Sequence, residues 1–221
     1  GVTDDTAAIQ AAITYAATAG QRVYIPAGTY IVTTLTLPIQ DGGLHIYGDS
    51  RCGLYALETA DYRGTVLVST ATTGNILSCD GGAAYSNRAI VLEDFAIRVA
   101  TSGYAISLIA APEVSAINRV SVWNNNAAGS GINLESCWSG MVLNQVLCST
   151  VSSNTGIGVR ITNAITAGGT TIELSQIAKY GTNCFLAGGA YQVLLNGSAF
   201  EGGGYGVHVA GDCHTGITGC H

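Results

Sequence analysis

Charged side chains are scarce in this chain. Asp, Glu, Lys and Arg make up 10% of the 221 residues, whereas an ordinary soluble domain has about a quarter. A single lysine, Lys179, is present, and the net charge is −6. Binding to nucleic acid or to an anionic membrane requires a basic stripe, so the composition argues against both partners. The scarcity also predicts that uncharged polar residues or neighbouring subunits cover much of the surface.

Several other features are missing. No apolar run reaches the roughly 18 residues that a membrane-spanning helix needs, and no signal segment precedes the first strand. The seven cysteines have no CxxC spacing, so the sequence predicts buried thiols, no metal site and no cofactor. The chain lacks an initiating methionine and ends on Cys220-His221. We therefore expect a piece of a longer polypeptide.

The opening stretch, GVTDDTAAIQAAITYAATAG, has the apolar periodicity of a helix. Thr3 is placed to cap its start, and Gly20 is placed to end it. Asp4 and Asp5 then fall in the first turn, where acidic side chains interact favourably with the helix dipole. Catalysis or metal binding by the two acids is the alternative interpretation.

A repeat predicts the fold of the rest. Four segments (LEDFAI, AINRVSV, VLNQVLC and LLNGSAF) place Asp94, Asn118, Asn144 and Asn196 at a nearly constant interval or at twice that interval, and Thr218 follows after one interval more. Short apolar strands at such a period are typical of a parallel β-helix, and asparagine tolerates the left-handed conformation of a sharp bend. A β-sandwich is the alternative fold.

The predicted fold class is therefore all-β, a right-handed parallel β-helix with a short N-terminal capping α-helix. We expect one domain over 1–221: a capping helix over 1–20, first coils with longer loops over 21–88, and regular coils of about 22–26 residues over 89–221. The helix would cover the unpaired edge of the first coil.

The sequence is similar to the pectate-lyase-like right-handed β-helix superfamily, especially its bacteriophage tailspike branch. The resemblance rests on GVTDDTAAIQAAI followed by VYIPAGTYIV, where Gly1 stands for the last glycine of the family's Gly-Asp-Gly run. It implies a homotrimeric appendage on the virion tail that binds and depolymerises a bacterial surface polysaccharide, either capsule or O-antigen. A cellular relative would be a secreted enzyme. The motifs of polygalacturonases and calcium-dependent pectate lyases are absent.

Acidic and aromatic residues that recur at the same position in successive coils form the candidate site. Cleavage of a glycosidic bond usually needs two carboxyl groups, and aromatic rings form platforms for sugars. Glu201 and Asp212 are the predicted catalytic pair. The predicted substrate-binding residues are Glu113, Trp123, Trp138 and Tyr191. The alternative interpretation is that these acids are solvated and that the aromatic rings pack against a neighbouring subunit.

Other polar residues have weaker claims. Arg98, Arg119 and Arg160 could bind an acidic sugar, although isolated arginines usually form surface ion pairs. His208 alternates with Val207 and Val209 and should point outward. Three functions stay open at this point: a depolymerase, a fibre segment used for adhesion or structure, and a pectin-type lyase or hydrolase.

Overall fold

The computed structural model describes residues 3–38, 43–80, 89–110, 115–137, 141–150 and 155–162, together with the strands that lie between 177 and 218. Within these residues the chain forms helix α1 (Thr6–Ala19), helix α2 (Leu54–Thr59) and parallel strands in three stacked sheets.

Each of the first five coils contributes one strand to each of three sheets. Sheet 1 consists of β1 (Arg22–Ile25), β4 (Leu44–Gly48), β7 (Ile90–Glu93), β10 (Ala116–Asn118) and β13 (Val142–Asn144). Sheet 2 consists of β2 (Gly28–Val32), β5 (Thr65–Ser69), β8 (Ala96–Val99), β11 (Ser121–Asn124), β14 (Leu147–Thr150), β16 (Ile177–Tyr180) and β19 (Phe200–Gly202). Sheet 3 consists of β3 (Leu35–Thr36), β6 (Leu77–Asp80), β9 (Tyr104–Ile109), β12 (Ser130–Glu135), β15 (Ile157–Thr162), β17 (Asn183–Gly188) and β20 (Tyr205–Ala210). Strands β18 (Gln192–Asn196) and β21 (His214–Thr218) pair with each other.

This architecture confirms the predicted parallel β-helix. Val91, Ala116 and Val142 are in register on sheet 1, so the two coils between them are nearly equal in length and match the predicted period. Asn196 pairs with Thr218, as the repeat predicts. The core between the sheets is filled by alternate side chains such as Phe95, which is fully buried.

Helix α1 covers the first coil, as predicted. Its side chains replace the hydrogen bonds that a neighbouring strand would make. The Gln10 amide donates to the Thr36 carbonyl and accepts from the Thr36 N–H, each at 2.8 Å. The Asp5 N–H donates to the Ile31 carbonyl at 2.7 Å, and its carboxylate accepts from the Ile31 N–H at 3.2 Å. The edge of the solenoid is therefore paired here, which removes a template for aggregation.

The start of α1 differs from the prediction. Asp5 is the N-cap residue, so Asp4 and Asp5 precede the first turn. The backbone N–H of Thr6 donates to the Asp4 carboxylate at 2.8 Å. Hydrogen bonds from the side chain and the backbone of Thr6 lower the pKa of Asp4. The prediction that Thr3 caps the helix is therefore wrong. Gly20 does end the helix, in the left-handed conformation with φ 64°.

The bend between sheets 1 and 2 also differs from the prediction. Asn118 and Asn144 are in register, but Glu93, not Asp94, occupies the same column. The left-handed residue is the next one in each coil: Asp94 (φ 57°), Arg119 (φ 49°) and Gln145 (φ 53°). The asparagines thus lie at the ends of strands, and the bend follows them.

The cysteines of the described residues are buried thiols, as predicted. Cys52, Cys79, Cys137 and Cys148 form no disulfide and are almost inaccessible to solvent. Burial raises the pKa of Cys79 to about 12. These cysteines are therefore packing residues. The remaining three cysteines lie outside the residues whose side chains are described.

Candidate functional site

The outer surface of sheet 1 concentrates polar and aromatic side chains near the capped end. Side chains alternate along β1 and β4, and Val23 and Ile46 point inward. Their neighbours in the same strands, Arg22 and Tyr24 in β1 and His45 and Tyr47 in β4, therefore face outward. Arg22 is in register with His45, and Tyr24 is in register with Tyr47. We call the surface formed by Arg22, Tyr24, His45, Tyr47 and Glu93 the sheet 1 face.

Two tyrosines form a ladder on this face. The ring centroids of Tyr24 and Tyr47 are 5.2 Å apart with an interplanar angle of 31°, and the His45 ring lies 5.3 Å from Tyr47. Tyr24 is 48% exposed. Its hydroxyl donates to the Asp49 carboxylate, which raises the pKa of Tyr24. The same carboxylate accepts from the Ala27 N–H at 2.6 Å, so the outer tyrosine is held in place.

A charged network continues the face toward the bend. The Arg119 guanidinium donates to both carboxylate oxygens of Asp94, at 2.6 and 2.7 Å. It also donates to the Glu93 carboxylate, whose other oxygen lies 3.0 Å from Nε2 of His45. Hydrogen bonds to Asp94 and Glu93 raise the pKa of Arg119 despite its partial desolvation. The left-handed backbone of Asp94 and Arg119 brings the three charged groups together.

A cavity of about 400 Å³ adjoins the same surface. Arg22, His45 and Val91 line it from sheet 1, and Gly20 and Gln21 line it from the end of α1. The cavity is open, so a polymer could lie across it.

This arrangement combines two properties that saccharide sites use. The exposed ring of Tyr24 and the half-buried ring of Tyr47 offer apolar surface, while His45 and Glu93 offer hydrogen-bonding and proton-transfer groups. Arg119 is already saturated by carboxylates, so its contribution is to fix Glu93 and Asp94.

The structure places Trp123 on the outer surface of sheet 2, where it is 4% exposed. It is in register with Arg98 on one side and Ser149 on the other. Helix α2 packs over the ring. With α2 in this position, no ring face is open to a sugar.

The other predicted site residues have fewer observations. Glu201 lies in β19, in register with Ala178 of β16. Asp212, Glu113, Trp138 and Tyr191 lie outside the described residues. Their roles stay predictions.

Most of the weaker candidates make surface contacts. Arg119 forms ion pairs with Glu93 and Asp94, as isolated arginines usually do. Arg160 lies 4.0 Å from Glu135. The guanidinium of Arg98 lies 5.9 Å from the ring centroid of Tyr62. His208 is half-buried, and the side chain of its neighbour Val207 packs against the core; the outward orientation of His208 stays a prediction.

Sequence reasoning missed the sheet 1 face. The available signal was the alternation of RVYI and LHIYG, which places Tyr24, His45 and Tyr47 on the surface of one sheet. The two segments lie before the regular repeats, and their register depends on the length of the coil between Arg22 and His45.

The described residues hold neither a cluster of metal ligands nor a membrane-spanning helix. They contain no group of three or more His, Cys, Asp or Glu side chains placed to hold a metal ion. No helix among them has the length and hydropathy to cross a membrane.

Comparison with known proteins supports the fold. A search of curated proteins gives no match. The solved structure of a candidate glycosyl hydrolase from Parabacteroides merdae superposes on all of this chain and on 92% of that chain, with a TM-score of 0.52 and 14% identity. At this identity the likeness shows the fold alone.

The profile of the family described as rhamnogalacturonase A/epimerase, pectate lyase-like, matches residues 1–218. The name refers to enzymes that act on polysaccharides, which supports a polysaccharide-related function. The match spans nearly the whole chain, and the parallel β-helix agrees with it. The chain belongs to the rhamnogalacturonase A/epimerase, pectate-lyase-like family.

Proposed function

We propose that this protein is a tailspike-type β-helix that binds and depolymerises a bacterial surface polysaccharide, acting as a homotrimer on a virion tail. Family membership supports a polysaccharide as the ligand. The low content of charged residues supports subunit contacts along the solenoid. The opening motif supports the tailspike branch.

The observation that carries the proposal is the sheet 1 face. Tyr24 and Tyr47 stack 5.2 Å apart, close to the spacing of adjacent coils, and the His45–Glu93 pair lies beside them. A sugar chain on this surface meets apolar ring faces and polar groups along one strip. Neither tyrosine is needed for the core, because both point outward.

Cleavage is assigned to Glu201 and Asp212. The competing assignment on the described surface is Glu93 with His45, which are within hydrogen-bonding distance at 3.0 Å. A carboxylate paired with an imidazole can transfer a proton.

The function is tested by incubating the protein with purified capsular polysaccharides, O-antigen lipopolysaccharides, rhamnogalacturonan and pectin. Depolymerisation lowers viscosity and releases reducing ends, and a lyase also produces the absorbance of unsaturated uronates. Cleavage of a bacterial polysaccharide supports the proposal, whereas cleavage of pectin alone supports the plant-polysaccharide alternative. Failure to bind or cleave any of the polymers would overturn the proposal.

Variants separate binding from cleavage. Tyr24→Ala combined with Tyr47→Ala should abolish retention of the polysaccharide, because the ring ladder is lost. Tyr55→Ala is the matched control, since Tyr55 is 78% exposed and lies on α2, away from the sheet 1 face. Unchanged retention in the double variant would contradict a binding role of this face.

Substitutions of the proposed catalytic residues test which carboxylates cleave the polymer. Glu201→Gln or Asp212→Asn should remove cleavage and preserve retention. If cleavage survives both and is lost in Glu93→Gln, the assignment moves to the sheet 1 face.

Adhesion without cleavage is a second candidate function. It is favoured by one observation: the Arg119 guanidinium binds Glu93 of the sheet 1 face and the neighbouring Asp94, which holds both carboxylates in fixed positions. Retention of a polymer with no new reducing ends and no viscosity change would establish this alternative.

A further inference from the structure

Segment 49–64, which connects β4 to β5, crosses the outer surface of sheet 2. Its helix α2 contacts β11 and β14, which belong to coils later in the solenoid. The Arg51 guanidinium donates to the carbonyl of Gln145, a residue 94 positions further along the chain. We call segment 49–64 the strap.

Under the strap lies a second apolar cluster, separate from the solenoid core. Leu57 and Cys52 of the strap pack against Val66, Ala96 and Trp123 of sheet 2. Leu57 is fully buried and Trp123 is 4% exposed. The strap therefore covers the indole ring.

Polar atoms are trapped on the same surface. Nε1 of Trp123, Oγ of Ser121 and Nε of Arg98 are buried, and none has a hydrogen-bond partner within the part of the chain that the structure describes. Arg98 is in register with Trp123, and Ser121 lies two residues before it on the same side of β11. Three neighbouring side chains thus point hydrogen-bonding groups into one covered patch.

Such a group is unfavourable unless something pairs with it. A buried donor without an acceptor carries an unrepaid desolvation penalty, so a ligand that supplies acceptors is favoured. The hydroxyl and ring oxygens of a saccharide are acceptors of this kind, and an indole ring stacks on the apolar face of a pyranose. Trp123, Ser121 and Arg98 supply both requirements together.

The middle of the strap is a short helix anchored at both ends of the segment. Helix α2 has six residues, and its N-cap, Gly53, provides no side-chain hydrogen bond. Backbone hydrogen bonds hold the two ends of the strap: the Thr65 N–H donates to the Ser50 carbonyl and the Gly28 N–H donates to the Gly64 carbonyl, each at 2.9 Å. Over sheet 2 the strap is held by the Leu57 and Cys52 contacts, by the Arg51 hydrogen bond and by Tyr62, whose ring centroid lies 5.9 Å from the Arg98 guanidinium.

We propose that the surface of Trp123, Ser121 and Arg98 is a covered saccharide-binding site, which the strap closes in the free protein and uncovers when a saccharide binds. The site is distinct from the sheet 1 face. It rests on the proposed function in so far as the ligand is a saccharide.

Trp123 fluorescence tests the site directly. In a Trp138→Phe background Trp123 is the single tryptophan, so its emission reports on this surface and not on the sheet 1 face. The probes are short rhamnogalacturonan fragments and short O-chain fragments released from lipopolysaccharide by mild acid. We expect a saturable change of emission with at least one probe.

Two strap variants should strengthen that binding. Leu57→Ala removes the main apolar contact, and Arg51→Met removes the attachment to Gln145 without touching the cluster. Each should increase access of acrylamide to Trp123 and raise the apparent affinity roughly tenfold, because the open form is more populated. Tyr55→Ala, on the exposed side of the same helix, is the matched control and should change neither quantity.

A variant of the site itself separates binding of the saccharide from loosening of the strap. Ser121→Val should weaken binding of the probe and leave acrylamide access unchanged. The proposal is overturned if neither probe changes Trp123 emission in the strap variants, whether or not acrylamide gains access.

Retention and cleavage of the polymers, measured on protein with Trp138 intact, distinguish the two proposals. Cleavage with a silent Trp123 refutes the covered site alone. Absence of both retention and cleavage refutes the proposed function.

Discussion

Gly48 allows β4 to meet the bend at Asp94, and replacing it with alanine should destabilise the protein. A Cβ atom at Gly48 would lie 2.5 Å from the Asp94 carbonyl oxygen and 2.6 Å from Cβ of Thr65. Thr65 is fully buried, and its hydroxyl donates to the Ile25 carbonyl at 2.9 Å and accepts from the Asp49 N–H at 3.0 Å. Neither neighbour can move away without losing hydrogen bonds.

The expected loss follows from this crowding. Overpacking of a buried site costs about 1–3 kcal/mol, and we expect Gly48→Ala to lose about 2–3 kcal/mol of unfolding free energy. Gly53 and Gly74 are matched controls, because a Cβ atom at either position meets nothing within 4 Å. Gly53→Ala should change the free energy by less than about 0.5 kcal/mol. Gly74 has φ +78°, so Gly74→Ala should lose about 1–2 kcal/mol from backbone strain alone.

Urea unfolding followed by far-ultraviolet circular dichroism measures these differences. The expected order of stability is Gly53→Ala, then Gly74→Ala, then Gly48→Ala. A Gly48→Ala variant as stable as Gly53→Ala would refute the close approach of β4 to Asp94.

Two further predictions concern ionisable groups. Hydrogen bonds from the side chain and the backbone of Thr6 lower the pKa of Asp4 below 3.8, so its contribution to stability is present above that pH and is lost as the pH falls through the lowered pKa. Asp4→Asn should therefore lower the melting temperature at pH 7, reduce its further loss in acid and leave polysaccharide binding unchanged; an unaltered acid profile would contradict this role. Burial raises the pKa of Cys79 to about 12, so iodoacetamide at pH 8 should label Cys79 in urea but not in the folded protein, as followed by peptide mass spectrometry. Rapid labelling of folded Cys79 would show that its part of the core opens.

The repeats were predictable because the solenoid uses one local pattern many times. Asn118 and Asn144 recur with the coil, and Asn196 pairs with Thr218. Each coil turns at the same place, so the positions of turn residues in the sequence reproduce the stacking. The period alone could not place the bend within one residue, which is why Asp94 was aligned where Glu93 belongs.

The start of α1 shows a similar limit. Periodicity predicts a helix, and Gly20 predicts its end, because glycine adopts the left-handed conformation at no steric cost. Which polar residue caps the first turn depends on the edge that the helix covers. The Asp5 carboxylate accepts a hydrogen bond from the Ile31 N–H of β2, and the Asp4 carboxylate accepts one from the Thr6 N–H.

The functional surfaces required the three-dimensional structure. Tyr24 and Tyr47 are separated by a whole coil of the chain and become neighbours only through the register of β1 and β4. Trp123 is of a residue type that forms sugar platforms. The strap covers it, although the strap comes much earlier in the chain. The local sequence around Trp123 does not predict that a distant segment crosses sheet 2.

The sequence by itself determined the parallel β-helix, its coil length and the covering helix at its first coil. These depend on alternation and on turn residues, which act between neighbours along the chain or between one coil and the next. The tertiary structure alone decided which side chains share the sheet 1 face and which lie beneath the strap. Those arrangements depend on register and on a long connection, and neither is a property of any single segment.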